Sequence, residues 1–549
     1  MDSEVIWSRR LADELWSGMV TPLTFSLLAP AMSDHLARRR LANAGLRAAA
    51  AQPVFRLVDG RVYLNATLIA DAMRELPAIT ISEGLLDHLP ECLRDSVRNG
   101  ARAVLSPRIA ATLLHVGWNE REWLPWRRAA LFREESARIA AGFRPARSPA
   151  GLGTAELAGY LRELQERLAS YLELVSWGMI YAFVFFHLTA DLLERWADGT
   201  ATMADLLAGA PGIQTFEIHA QLVACADAAR RDPRWREVVA CDEPVDVARR
   251  AAAGELGGFG ARFSEMLARH GHRLLERDLS APTWGERPEV LVETIRTLLR
   301  GPDAAAPSRR RADAEAARET ALATIGTGIG GRVRRAVFVQ VLSWCEEYYA
   351  LRENMRYHAD FFLAALRRAA CESGARLAAA GALDSPEDVF YLTSEEVLAG
   401  LAGERSVGDR ARARIADYSV WRERIPPDVI VGERPPTPED RVPDRNLRGI
   451  GVSPGRCTGR VRVVRRLEDL DDIREGEVVV AASTDPSWTT LLSFASALVL
   501  EIGGRLSHGA IIARELGIPA VADVTGATFR LRTGDRITVD GSSGEVALA

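Results

Sequence analysis

The run Gly503-Gly504-Arg505-Leu506-Ser507-His508-Gly509-Ala510-Ile511-Ile512-Ala513-Arg514-Glu515-Leu516-Gly517-Ile518-Pro519-Ala520-Val521 sets one histidine behind a serine, just after a glycine pair. Upstream, Ala497-Leu498-Val499-Leu500-Glu501 is a short apolar run that stops at glycines, the pattern of a buried strand. Downstream, 507–516 has helical spacing with apolar Ile511, Ile512 and Leu516, and Ser507 is a natural N-cap. His508 then sits at the first turn, where unpaired backbone N–H groups and the helix dipole favour a bound anion. A phosphoryl group on this imidazole would have its charge stabilised there. Gly503, Gly504, Ser507 and Gly509 are the expected phosphate-binding positions, since glycines leave room for close approach. The plainer alternative is a structural histidine at the start of a helix in a small α/β domain.

Arg352 and Arg356 lie at i, i+4, so one helix face presents two guanidiniums together. Such a pair can grip a transferring phosphoryl group or an anionic substrate; equally it can be a surface pair bridging Glu353 or Asp360. His272 has the titration range of a general base for an acceptor hydroxyl. Its alternative role is a buried histidine orienting Glu276 or Asp278. With His508, these three form the candidate catalytic set, expected to line one cavity that faces His508. Gly326-Thr327-Gly328-Ile329-Gly330-Gly331 spells G-x-G-x-x-G, but it follows a helix and lacks a βαβ frame, so a helix-to-helix turn is expected. The sequence contains no lysine; every basic residue counted with it is arginine. A P-loop lysine and a Schiff-base lysine are thereby excluded. Six dispersed cysteines without C-x-x-C suit reduced thiols, not a disulfide frame or zinc site, and no metal site is expected.

These residues need elements to hold them. A chain of 549 residues should divide into several cores. Residues 1–425 read as mainly helical, with amphipathic runs near 154–176, 177–197, 246–270, 312–325, 332–372 and 394–416. A hairpin-like piece spans 54–64 with Asp59-Gly60 as its turn. The cluster Trp177, Tyr181, Phe183, Phe185 and Phe186 is expected in the core. Residues 426–444 are proline-rich and polar, the composition of an extended linker. Residues 445–549 read as one compact domain: an opening turn and strand, the 497–516 strand and helix, and a closing hairpin over 534–548. The net charge of −5 offers no field suited to nucleic acid. The stretch 172–193 carries Glu173, His187 and Asp191 and reads as a buried helix, so no membrane partner is expected. Met1-Asp2-Ser3-Glu4 lacks a basic-then-apolar signal, and a cytoplasmic location is expected.

The 503–521 run resembles the phosphohistidine motif of the swivelling, or mobile, domain of the phosphoenolpyruvate-utilising enzyme family, with Gly-Gly, Ser-His, Ala-Arg-Glu and Gly-Ile-Pro-Ala-Val in register. Leu506 is similar to the rifampin phosphotransferase branch. Gly449–Gly455, Gly459–Val464 and Thr484–Thr489 resemble further parts of that domain. Earlier blocks resemble the substrate-binding region of the same branch, in the same order: Trp7–Glu14, Gly18–Thr24, Asp59–Asn65, His270-Gly271-His272-Arg273, Leu351–Arg356 and Asp388–Thr393. Arg356 stands where the family usually has lysine, which keeps the charge and changes the geometry.

The resemblance implies a multidomain fold: a mainly α-helical substrate-binding region, then a compact α/β swivelling phosphohistidine domain. It implies a phosphotransferase in which ATP is split to AMP and phosphate and His508 carries a phosphoryl group to a small-molecule acceptor. Neither the family's ATP-grasp nucleotide domain nor its phosphoenolpyruvate-binding barrel is recognisable in these residues. A separate ATP-grasp partner is therefore expected to charge His508, with ATP and Mg bound by that partner and no cofactor by this chain. The competing class is a repurposed scaffold or small-molecule-binding protein that does not phosphorylate. The acceptor's identity is not written in the sequence.

Overall fold

The computed structural model describes residues 4–549 except 11, 17, 40–49, 75–85, 87–88, 101–123, 144–147, 198–201, 208–209, 211, 301–305, 326–328, 423, 425, 434–446, 465–472, 475, 485–490 and 505–506. The chain builds a large helical region followed by an α/β domain. The helical region contains α1 (Pro22–Met32), α2 (Pro125–Gly142), α3 (Thr154–Ala197), α4 (Gln214–Arg231), α5 (Gly257–His270), α6 (Glu289–Arg300) and α7 (Ile329–Ala379), among shorter helices. Its spine is the antiparallel pair α3 and α7. At about 1.5 Å per residue they run roughly 65 and 75 Å. Aromatic contacts track the pairing: Tyr171 on Phe362, Tyr181 on Tyr348 and Phe185 on Trp344. Tyr181, Phe185 and Phe186 are buried and Trp177 and Phe183 pack against the same core, as expected for the cluster.

Several boundaries differ from the sequence reading. The runs 154–176 and 177–197 fuse into α3, because nothing between them breaks a helix. The run 246–270 divides into Pro244–Ala252 and α5, with positive φ at Gly254 between them and at Gly257, the first residue of α5. The run 394–416 divides into Ser394–Leu401 and Val407–Trp421. Part of the expected G-x-G-x-x-G turn lies outside the described residues; α7 starts at Ile329. Among the described residues α3 is the one helix long and apolar enough to cross a membrane, and half of its most apolar window is buried in this fold.

The 54–64 hairpin forms as β2 (Phe55–Val58) and β3 (Arg61–Asn65). Two strands were not anticipated: β1 (Ile6–Ser8) and β4 (Val429–Val431) complete a four-stranded sheet in the order β2-β3-β1-β4. Each is three residues long, too short for a period-2 pattern to register. β4 lies inside the expected linker 426–444, so that segment begins as part of the helical region's sheet. Most of the rest of the linker, 434–444, lies outside the described residues.

The α/β domain is a seven-stranded sheet ordered β11-β10-β6-β7-β8-β9-β5. Its strands are β5 (Ile450–Ser453), β6 (Arg456–Val464), β7 (Glu477–Ala481), β8 (Ala497–Leu500), β9 (Ala520–Ala522), β10 (Arg536–Asp540) and β11 (Glu545–Leu548). The central strands β6, β7, β8 and β9 run parallel. Both faces of the sheet are buried: Val479, Ala481, Leu498 and Leu500 on one, Val478, Val480, Ala497 and Val499 on the other. That is why β7 and β8 read as continuous apolar runs. Helix α8 (His508–Leu516) covers the first face through Ala510, Ile512 and Ala513. Its Ile511 instead joins the core of the helical region, so the two regions meet across α8.

Candidate active site

Local chemistry fixes the start of α8. The Ser507 side chain accepts from the Ala510 N–H at 3.4 Å, the N-cap expected from sequence. Ser507 N–H donates to the Gly504 carbonyl, closing the turn behind it. Gly503 takes φ +134, and a Cβ there would lie 2.7 Å from the Ser507 hydroxyl oxygen. A Cβ at Gly509 would lie 2.3 Å from Leu500 Cδ1 and 2.8 Å from Thr484 Oγ1. Helix α8 packs closely on β8 at that position, and a side chain there would have to displace Leu500 or Thr484. These two glycines thus have a packing requirement of their own, beside the expected role near phosphate. Gly504 is buried; Arg505 and Leu506 lie outside the described residues.

His508 is 3% exposed and points at the helical region. Its Nδ1 lies 2.8 Å from Oε2 of Glu353 on α7. The other Glu353 oxygen, Oε1, is 3.6 Å from a guanidinium nitrogen of Arg352. Burial alone would push the Glu353 carboxyl up. His508 and, beyond it, Arg356 and Arg352 outweigh burial and hold it at about 2, against an ordinary 4.5. Glu353 is therefore a carboxylate at neutral pH, and a carboxylate can only accept. The Nδ1 position of His508 then carries a proton toward Glu353.

Helical spacing explains the rest of this face. Tyr349, Arg352, Glu353 and Arg356 fall at i, i+3, i+4 and i+7 on α7, one stripe of the helix surface. Tyr349 is buried beside Arg514 of α8; burial, partly countered by that arginine, raises its phenol well above its ordinary value. Arg514 also donates to the Val452 carbonyl at 2.9 Å. So α8 meets α7 at two places, His508 on Glu353 and Arg514 on Tyr349, one helical turn apart along α7.

The structure thus brings His508, Arg352 and Arg356 together around Glu353. Arg352 is 7% exposed and belongs to an interface, so the surface-pair reading does not describe it. Asp360, the other acid considered for the arginines, pairs with Arg273 at 2.8 Å. His272 lies against the following turns of α7. Its Nε2 is 3.3 Å from the Tyr357 carbonyl oxygen, and its ring stacks on Phe361 at 3.5 Å between centroids. Asp278, which His272 was considered to orient, instead accepts from the Thr21 N–H and hydroxyl at the start of α1.

Arg352 and Arg356 flank Glu353, while His272 lies further along α7 against Tyr357 and Phe361. A cavity of about 290 Å3 is lined by Phe132, Ser136, Gln214, Arg269, Asn354 and His358, among others, and not by Arg352, Arg356 or His272. With 100° per residue, Asn354 and His358 emerge from the side of α7 opposite Arg352 and Arg356. Sequence reasoning named Glu353 only as an arginine's partner and did not single out Tyr349 or Arg514. The available signal was the stripe itself, a buried acid between two arginines. Among the described residues no cluster of three or more His, Cys, Asp or Glu side chains could hold a metal ion.

Residues 174–353 match the model of the rifampicin phosphotransferase fourth domain, and residues 473–544 match that of the PEP-utilising enzyme mobile domain. A rifampicin phosphotransferase of Streptomyces sviceus is 33% identical over 371 residues, 65% of this chain and 42% of that protein. An uncharacterised protein of Mycobacterium tuberculosis is 34% identical over 329 residues, 58% of this chain and 34% of its own length. The rifampicin phosphotransferase of Bacillus subtilis is 28% identical over 296 residues, 52% and 34% respectively. The chain spans between a third and a half of the length of these relatives. His508 lies inside the second matched segment and Glu353 closes the first. The chain therefore carries the mobile domain of the phosphoenolpyruvate-utilising enzymes and is homologous to rifampicin phosphotransferase.

Proposed function

We propose that this chain is a phosphotransfer component in which His508 carries a phosphoryl group to a small-molecule acceptor at the Arg352–Arg356 face of α7, after charging by an ATP-grasp partner that binds ATP and Mg. The observation that carries the reading is the buried 2.8 Å contact between His508 Nδ1 and Glu353, with two arginines beside it. A purely structural histidine has no need of a carboxylate from another domain to fix its tautomer. A phosphoryl carrier does: Nδ1–H donating to Glu353 leaves the Nε2 lone pair to bond phosphorus.

In the transfer step the Nε2–P bond breaks and a P–O bond forms to the acceptor hydroxyl. Nε2 recovers its electron pair, and the hydroxyl proton passes to that nitrogen or to solvent. Charge spreads over three equatorial oxygens during transfer, so fixed positive groups are the main requirement. Arg352 and Arg356 supply them, and Glu353 stabilises the positive ring. His272 enters this reading as a second basic group, held one to two turns further along α7.

The test is to incubate the chain with ATP labelled in its β-phosphoryl group, alone and with a separately produced ATP-grasp domain from a homologous rifampicin phosphotransferase. Acid-labile, base-stable label should appear only with the partner and vanish in His508→Ala. Equal labelling of the variant and wild type removes the proposal. No labelling of wild type by a partner that charges its own mobile domain supports the scaffold class instead.

A further inference from the structure

Apart from the α8 contacts, a second set of contacts ties the α/β domain to the helical region. Arg10 reaches Asp523 at 2.6 Å, with both side chains largely buried. Asp428 uses both oxygens: Oδ1 accepts from Arg9 at 2.9 Å, and Oδ2 accepts from the Thr525 hydroxyl at 2.8 Å. Arg9 also pairs with the buried Asp13 at 3.5 Å. Asp428 itself is fixed to the helical region. Its carbonyl accepts from the Arg9 N–H, its neighbour Pro427 accepts from Tyr63, and β4 begins at the next residue. The place where the chain leaves the helical region is therefore also a docking point for the domain it leads to.

Two observations indicate that this contact is built and not incidental. Asp523 has φ +62, one of two non-glycine residues with positive φ among the described residues. The other, Asp59, is the hairpin turn. Asp523 presents its carboxylate to Arg10 from a left-handed backbone, a conformation that aspartate and asparagine adopt more readily than other residues with a Cβ. In addition, the 523–528 loop is wired to the His508 loop. Val524 N–H donates to the Leu500 carbonyl, and Thr528 N–H donates to Glu501 at 2.6 Å. Glu501 follows β8 directly, two residues before Gly503. Moving the 523–528 loop moves the segment that aims His508.

We propose that Arg10–Asp523 and Asp428–Thr525 form a positioning seat, separate from the chemistry, that sets the register in which the α/β domain docks and so places His508 on Glu353. A phosphoryl group on Nε2 adds bulk and charge beside the His508–Glu353 contact. The seat contains no reacting atom and holds the pose through that change. Losing the seat shifts the domain toward the undocked form, in which His508 is exposed.

Docking buries His508 under α7, whereas His270 is fully buried within the helical region itself. Diethyl pyrocarbonate modification, followed peptide by peptide, then reports undocking at His508 and general loosening at His270. Arg10→Ala and Asp523→Asn should each raise the His508 rate about fivefold, the scale of a half-buried ion pair. Asparagine keeps a side chain suited to left-handed backbone. The double variant should be no faster than the quicker single, and His270 should be unaffected. Unchanged His508 rates, effects that multiply in the double variant, or a parallel rise at His270 would each overturn the seat. A second readout rests on the proposed function: with the ATP-grasp domain present, the same variants should label faster. Faster modification without faster labelling would count against the phosphotransfer reading and leave the seat standing.

Discussion

The two halves of the candidate site are held in opposite ways. His508 is placed by its near neighbours: the Ser507 cap, the Gly503 turn and the contact of Gly509 with β8 all lie within one domain. Glu353, Arg352 and Arg356 are placed by a single 51-residue helix, and the charges on that face are buried by the other domain. A carboxylate under an apolar roof is costly unless paired. The α7 face therefore suits a docked, basic partner, while α8 is preorganised before it docks. Damage on the α7 side should change chemistry and docking with little effect on folding. Damage on the α8 side should change the stability of the α/β domain first.

The largest expected effect is at Glu353. Glu353→Gln removes the acceptor-only group opposite Nδ1 and lets the ring hold its proton on Nε2, the atom that must be free to bond phosphorus. Transfer through His508 should fall by about 10²-fold or more, with the unfolding midpoint of the helical region unchanged. Equal transfer rates in the variant would break the comparison at its centre. The same residue gives a pH signature. A carboxyl held at about 2 instead of 4.5 stabilises the docked form fully above pH 4.5 and loses that contribution as pH falls toward 2. His508 should become progressively accessible over that acid window in wild type. In Glu353→Gln the contribution of this carboxyl to that window should be absent.

Next in size is Gly509→Ala. The new methyl meets Leu500 and Thr484 inside the α/β domain, and overpacking of this kind costs about 1–3 kcal/mol. A chemical denaturation curve should show the loss in the α/β domain's transition and none in the helical region's. A variant as stable as wild type would mean that α8 can slide on β8, and the preorganisation argument would weaken.

The same asymmetry governs what could be read from the sequence. The α8 half was legible because its determinants are adjacent: a glycine pair, a cap, a helix and a strand within about twenty residues. The α7 half was legible only as an arginine pair. What buries Arg352 and fixes Glu353 is His508, 155 positions away, and no local pattern reports that. Helical phase puts the 290 Å3 cavity on the side of α7 away from Arg352 and Arg356, which the charge pattern of the sequence does not report. The short strands β1 and β4 were invisible because each is completed by a partner more than 420 positions away. Asp523 shows the same limit: its unusual backbone and its bond to Arg10 depend on two segments separated by almost the whole chain.

The smallest expected effect sharpens the comparison most finely. Ser507→Ala removes one side-chain acceptor from the Ala510 N–H and leaves the buried contacts of α8 in place. An N-cap of this kind is worth about 1 kcal/mol, and the 3.4 Å bond here belongs at the weaker end. If the serine serves only the fold, the variant should lose about that much stability in the α/β domain, and charging of His508 should keep its rate. If Ser507 also touches the phosphoryl group, as its place beside His508 allows, charging should slow by more than the stability loss can account for. Measuring both quantities on one variant separates the cap from the chemistry, because a lost cap frays the first turn of α8 equally in the charged and uncharged forms, whereas a lost phosphate contact destabilises the charged form alone.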